Sequence, residues 1–359
     1  METQSNEIDF SNQNIYVGFD VHLKSWKVTI LTEKVAVKTF SQDPNPELLF
    51  QYLNRNFPGG IYHSAYEAGF CGYWIHNKLL SLGVNSIVVN PADIPTTNKE
   101  RVQKEDKRDS RKIARSLRNG DLKPIYVPGL KTLEDRGLLR ARSTMGKDLT
   151  RFKNRIKSFL HFHGINFPES FSKPQSHWSK KFIIWLESLE LTEESGKITL
   201  SSLIHQSKNL RAAILDLTKQ IQKLSCTKTY QDEVILLRSL PGIGILTAMI
   251  ILTELETILR FSNLDKLCCY IGLVPSTSSS GEKEKTGDIT PRGHSVLRNA
   301  IIESSWIAIR HDPVLLKSYL DYCKRMDPNK AIVRIAKKLL SRIKFVLKNK
   351  QPYVFSWVN

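Results

Sequence analysis

Asp106 and Asp109 stand one helical turn apart in the run Arg101-Val102-Gln103-Lys104-Glu105-Asp106-Lys107-Arg108-Asp109-Ser110-Arg111-Lys112. Side chains three apart share a helix face, so both carboxylates point one way. Ile113, Ala114 and Leu117 continue behind them as an apolar stripe at helical spacing. Two carboxylates on one face suit a divalent cation. The neighbouring Arg101, Lys104, Arg108 and Arg111 suit a polyanion held against it. Most mixed-charge runs are solvated helix faces, so the metal reading needs further donors.

Two more acids occur where a sheet would supply them. Asp20 closes the apolar run Ile15-Tyr16-Val17-Gly18-Phe19, and Glu67 closes the run that begins at Ile61. Open α/β sheets place their sites at strand ends. Singly, each acid reads as an ordinary turn residue. Taken with Asp106 and Asp109, they form a set of hard oxygen donors that could hold two Mg²⁺ ions. Such a pair stabilises the attacking and leaving oxygens of a phosphodiester.

The elements that must carry these acids are legible in the patterning. Strands are expected over Ile15–Asp20, Trp26–Leu31, Val35–Phe40, Ile61–Tyr66 and Ser86–Val89, the last stopped by Asn90-Pro91. A helix over Pro46–Asn56 opens on a proline, and a second runs from Gly72 to Leu82 before Gly83. Three strands followed by alternating helices and strands predict an α/β sheet over residues 15–130, after a disordered tail at 1–14.

Beyond it the periodicity turns helical. Lys131 to Gly164 and about Ile204 to Leu224 read as two long helices, an antiparallel coiled-coil arm over residues 131–230. A Pro- and Ser-containing insertion at about 165–201 carries a short amphipathic piece, Phe182–Leu186. Residues 231–359 read as a mainly α-helical domain. There Leu240-Pro241-Gly242-Ile243-Gly244 between two helices has the pattern of a helix-hairpin-helix, in which Gly242 and Gly244 let backbone amides approach phosphates. A loop of small polar residues, Ser276 to Gly281, follows, with Lys283, Lys285, Arg292 and His294 around it and Arg298 just beyond. The last helix, Asn329–Asn349, sets Ile332, Ile335, Ala336, Leu339, Ile343 and Val346 against a basic face with Arg334, Lys337, Lys338 and Arg342.

Composition supports the same class. The chain has 359 residues, 41% of them hydrophobic, and a formal net charge of +18. That balance favours nucleic acid as partner over a membrane surface. No apolar run is long enough to span a bilayer, and the polar start, Met1 to Glu7, has no signal core, so a cytoplasmic protein is expected. The five cysteines are scattered without CxxC spacing, which suggests buried free thiols rather than zinc or disulfides.

Several of these segments together resemble one family. Tyr16-Val17-Gly18-Phe19-Asp20-Val21-His22, Tyr66-Glu67-Ala68-Gly69, Val88-Val89-Asn90-Pro91 and Lys104 to Asp109 look like the DEDD transposases of the insertion-sequence-110 class, relatives of the Piv invertases. Leu240 to Gly244, Gly272-Leu273-Val274-Pro275, Ser280-Gly281 and Gly287 to Arg298 resemble that family's second domain, in the same order. The resemblance implies an RNase H-like (RuvC-like) first domain, a coiled-coil arm and a helical transposase domain. It implies a catalytic quartet of Asp20, Glu67, Asp106 and Asp109, which holds Mg²⁺, and Ser280 as nucleophile in strand exchange through a serine–phosphate intermediate. It also implies donor and target DNA as substrates, a structured bridge RNA as guide, a homodimer or homotetramer with composite sites, and action at the nucleoid of a prokaryote. The chain departs from the pattern in two places. Ser110 follows Asp109 where alanine is expected, and Ser276, Ser278 and Ser279 crowd Ser280.

Two other readings stay open on the residues alone. One is a RuvC-like junction nuclease that uses water, with the serine run a flexible loop. The other is a nucleic-acid-binding protein whose carboxylates are structural. Metal-dependent cleavage separates the second from the enzymes, and a covalent protein–DNA adduct separates the two enzymes.

Overall fold

Strand-forming runs rich in Val, Ile, Phe and Tyr build the first of two units, Met1–Val127 and Pro128–Asn359. The computed structural model describes residues 9–95, 106–280 and 283–354. In the first unit β1 (Asn14–Val21), β2 (Trp26–Leu31), β3 (Ala36–Gln42), β4 (Ile61–Glu67) and β5 (Asn85–Val89) form one sheet, in the order β3-β2-β1-β4-β5. β1, β2 and β3 pair antiparallel, while β1–β4 and β4–β5 pair parallel. Of the stretch expected as a tail, residues 1–8 lie outside the described residues. Phe10 stacks edge-on against Phe57 at 5.1 Å, and Asn14 already belongs to β1.

The two sheet faces carry different helices, because alternate side chains point to opposite faces. Ile15, Val17, Phe19 and Tyr66 pack with Leu49 and Leu53 of α1 (Pro46–Asn56) and with Ile75 and Leu79 of α2 (Trp74–Ser81). Ala65 and Val89 pack instead with Ile113 of α3 (Asp106–Arg118). α1 begins where Asn45 accepts the amide of Glu47 and Pro46 fits the first turn.

The second unit opens with α4 (Leu130–Phe162), followed by α5 (Lys180–Glu187) and α6 (Glu194–Ser225). α4 and α6 pack along their length and run in opposite directions. Leu139 shares a core with Ile221, Arg142 donates to Thr218, and Ile156 and Leu160 share a core with Ile204 and Leu200. α6 starts ten residues before the expected Ile204. Its extra turns bury Leu200 against Phe182 and Leu186 of α5, so the insertion is a small helical cap that shares one core with Ile156 and Leu160 of α4. This packing outweighs the weak helix propensity of Gly196 and its Ser and Thr neighbours.

The rest of the unit is a helical body: α7 (Gln231–Arg238), α8 (Ile245–Leu255), α9 (Leu264–Ile271), α10 (Ser295–His311), α11 (Pro313–Cys323) and α12 (Pro328–Asn349). The apolar face expected of the last helix is buried in the body's core. Between α9 and α10 the small polar loop is in fact a hairpin, with β6 (Pro275–Ser280) antiparallel to β7 (Lys283–Ile289). The serine run has no hydrophobic alternation to announce a strand. Its partner β7 supplies the ladder, and Ser276 Oγ donates to Asp288 O at 3.0 Å. Of the five free cysteines only Cys268 is buried. No helix among the described residues is long and apolar enough to cross a membrane.

Candidate active site

The first site is built by a close approach of α3 to β1. Gly18 lies directly beneath the helix: a Cβ there would fall 2.2 Å from the amide nitrogen of Ala114 and 2.4 Å from the carbonyl oxygen of Ser110. Only glycine allows that contact. Asp20 is two residues further along β1, so it belongs to the same face as Gly18. Ala65 and Glu67 have the matching relation on β4. The parallel register pairs Gly18 with Ala65 and Phe19 with Tyr66, which makes Asp20 and Glu67 the next neighbours in line. Asp109 adjoins Ser110 at the point where α3 touches Gly18, and Asp106 is the helix's first residue.

Asp20, Glu67 and Asp109 are therefore on the α3 face of the sheet, near the C-terminal ends of β1 and β4. His22 Nε2 lies 3.0 Å from Asp20 Oδ2. Among the described residues no three His, Cys, Asp or Glu side chains are grouped closely enough to hold an ion. The side chain of Asp106 lies outside the described residues. The donor set is carboxylate oxygen throughout, which fits Mg²⁺ by chemistry.

In the second unit Ser280 is the last residue of β6, in register with Lys283 across the hairpin. Ser278 and Ser279 precede it on the same strand, paired with Lys285 and Glu284. Residues 281 and 282, and the side chains of Ser280, Lys283 and Lys285, lie outside the described set.

Residues 17–165 match a DEDD transposase model of the IS110 class, described as a transposase. Residues 235–320 match the Transposase IS116/IS110/IS902 family. The transposase for insertion sequence element IS1533 of Leptospira borgpetersenii is 27% identical over 356 residues, covering 95% of this chain and 97% of that one. The transposase for insertion sequence element IS1111A of Coxiella burnetii is 24% identical over 292 residues, 79% and 77% of the two chains. A Sinorhizobium fredii protein, y4qE, named as a candidate transposase, is 30% identical over 255 residues, 71% of this chain. The chain spans 60% of that protein's length. The chain belongs to the IS110-class DEDD transposases. The first family match contains Asp20, Glu67, Asp106 and Asp109, and the second contains Ser280.

In this IS110-class chain the expected cations divide into two groups. Arg111, Arg292, Arg334 and Lys338 are exposed. Arg298 is instead tied to the backbone, donating to Thr290 O at 2.6 Å and Gly272 O at 3.4 Å. Arg342 pairs with the buried Asp312, which also accepts from Tyr353. Gly242, with φ at +83°, meets α10: a Cβ would fall 2.2 Å from Ser304 O, so its glycine serves packing. Gly244 caps α8 and has open space around it. Arg101 and Lys104 lie outside the described residues, as does the side chain of Arg108.

One cluster was not foreseen from the sequence. Glu254, 2% exposed, accepts from Arg140 Nε at 2.8 Å and Nη2 at 2.9 Å, lies 3.1 Å from Arg136 Nε, and meets His294 Nε2 at 3.1 Å. His294 Nδ1 takes the amide of Leu297, so Nε2 carries the proton. Burial works to raise the Glu254 carboxyl. The hydrogen bonds from His294 and Arg140, with their fields, outweigh it and hold the group at about 2. The signal was a lone acid at the end of the apolar helix Ile245–Leu255, which a core tolerates only when it is paired.

Proposed function

We propose that the chain is a DNA transposase and recombinase with an RNase H-like (RuvC-like) first domain. It would cleave strands with Mg²⁺ and exchange them through a serine–phosphate intermediate, guided by a bridge RNA. The observation that supports it most is the placement of Asp20 and Glu67 as register neighbours on the face covered by α3, beside Asp109. Asp106, one turn before Asp109, completes the quartet.

In this reading the basic run that begins at Arg101 binds the phosphodiester backbone, and the four carboxylates would hold Mg²⁺. Mg²⁺ bound there would polarise the phosphorus and offset charge on the leaving oxygen. Ser280 Oγ attacks the phosphorus. The Oγ–P bond forms, the P–O bond to one side of the scissile phosphate breaks, and the serine proton is released as the leaving oxygen takes one up. The phosphoserine keeps the bond energy. Attack by another strand's hydroxyl reverses the step and reseals DNA without ATP.

The +18 charge supports DNA and RNA as joint partners. Homo-oligomers with composite sites, cytoplasmic location and action at the nucleoid belong to the same proposal. The test replaces Asp20, Glu67, Asp106 and Asp109 singly by Asn or Gln and follows strand cleavage in Mg²⁺. Each variant should be inactive. Full activity in any two would contradict a shared site.

A further inference from the structure

One face of α4 carries a row of cations that no step above uses. Lys147, Arg151, Asn154, Arg155 and Ser158 are all exposed and recur at intervals of three and four residues, which places them on one stripe. Phe162 ends the stripe, 85% exposed. From Lys147 to Phe162 the row is about 22 Å long at the α-helical rise. Beside it, an open groove of about 700 Å³ is lined by Arg151, Asn154, Arg155, Ser158 and Phe162, with Leu203 of α6. The opposite face of α4 is occupied. Ile156 and Leu160 are in the arm's core, and Lys153 lies over the Trp178 ring at 5.2 Å.

We infer that this stripe binds a single-stranded segment of nucleic acid, with phosphates along the cations and an unpaired base stacked on Phe162. Three observations favour that occupant. Between Arg140 and His161 there are six lysines and arginines and one acid, Asp148. Asp148 is paired with Arg151 at 2.6 Å, which leaves the stripe net positive. A second copy of the same face would be repelled by that charge. The amide of Asn154 and hydroxyl of Ser158 add neutral donors of the kind that contact phosphate and sugar. An exposed phenyl ring at the end of a basic track is a stacking platform, and a duplex offers no free base to it.

The inference rests on the nucleic-acid function proposed above and locates one contact of it. The test uses the full chain, with fluorescence anisotropy on a 20-nucleotide RNA strand, the same DNA strand and the matching duplexes, over a range of salt. Arg140 is left intact because Glu254 holds it. For K147Q/R151Q/R155Q we expect at least a tenfold loss on single strands and a fall of about 2 in the log K against log salt slope, at roughly 0.7 per lost contact. F162A should lose about tenfold on single strands and nothing on duplex. The stronger of the RNA and DNA arms identifies the strand. If the triple variant melts as wild type and binds with unchanged affinity and slope, the inference is wrong. It is equally wrong if that variant changes only from dimer to monomer, or if F162A weakens duplex as much as single strand. If wild type binds none of the four probes, the nucleic-acid function itself fails.

Discussion

The Ser110 hydroxyl meets that of Thr29 at 2.9 Å, with both side chains buried and 81 residues apart in the chain. Thr29 in turn bonds Thr39 at 3.0 Å, so a line of hydroxyls ties α3 to β2 and β3. The sheet thus provides Ser110 with a buried partner. Ser110→Ala should cost about 1 kcal/mol in urea unfolding, because Thr29 keeps a second partner. Gly18→Ala should cost about 2–3 kcal/mol and reduce cleavage as well, since the methyl must displace the backbone that carries Asp109.

Acid sensitivity should centre on Glu254. Its carboxyl is held at about 2 when folded against an ordinary 4.5. The stability it contributes is therefore full above pH 4.5 and disappears progressively as pH falls towards 2. The difference corresponds to about 3 kcal/mol. Glu254→Gln leaves Arg136 and Arg140 facing an uncharged amide and should cost about 3–5 kcal/mol at pH 7. Its urea midpoint should then vary less with pH between 4.5 and 2 than that of wild type.

The basic face of α12 should separate into binding and structural members. Arg334 and Lys338 are exposed, while Arg342 serves buried Asp312 and lies over the Tyr353 ring at 4.7 Å. Neutralising Arg334 and Lys338 together should lower DNA affinity and cut the salt slope by about 1–2, with the melting temperature unchanged. Arg342→Gln should do the reverse: it lowers the melting temperature and leaves the salt slope of the folded protein intact.

The strands of the first unit were legible because each is a short apolar run with clear stops, and α1 because Asn45-Pro46 marks its start. The placement of the acids followed from strand ends and from the three-residue spacing of Asp106 and Asp109. What the sequence hid was non-local. The β6 strand depends on β7, the first turns of α6 depend on Phe182 and Leu186, and the glycine at 242 meets the backbone of α10. Charge counting likewise treated Arg298 and Arg342 as free cations, because a sequence does not reveal the carbonyls or the aspartate that engage them.

If sites are composite between subunits, Asp109→Asn and Ser280→Ala proteins should each be inactive alone. Mixed oligomers should regain one intact site, made from the serine of one chain and the carboxylates of the other. Single-strand cleavage on mixing is the measurement. A mixture that forms hetero-oligomers and stays inactive places each site within one chain.

The serine–phosphate intermediate is tested most directly by trapping it. Protein, DNA and Mg²⁺ are quenched in denaturant, the DNA is digested by nuclease, and the peptides are sequenced by mass spectrometry. The account predicts a nucleotide–phosphoserine adduct on Ser280 in wild type, and none in Ser280→Ala or Asp109→Asn. Cleaved DNA with no protein attached, or an adduct on another residue of β6, would contradict it.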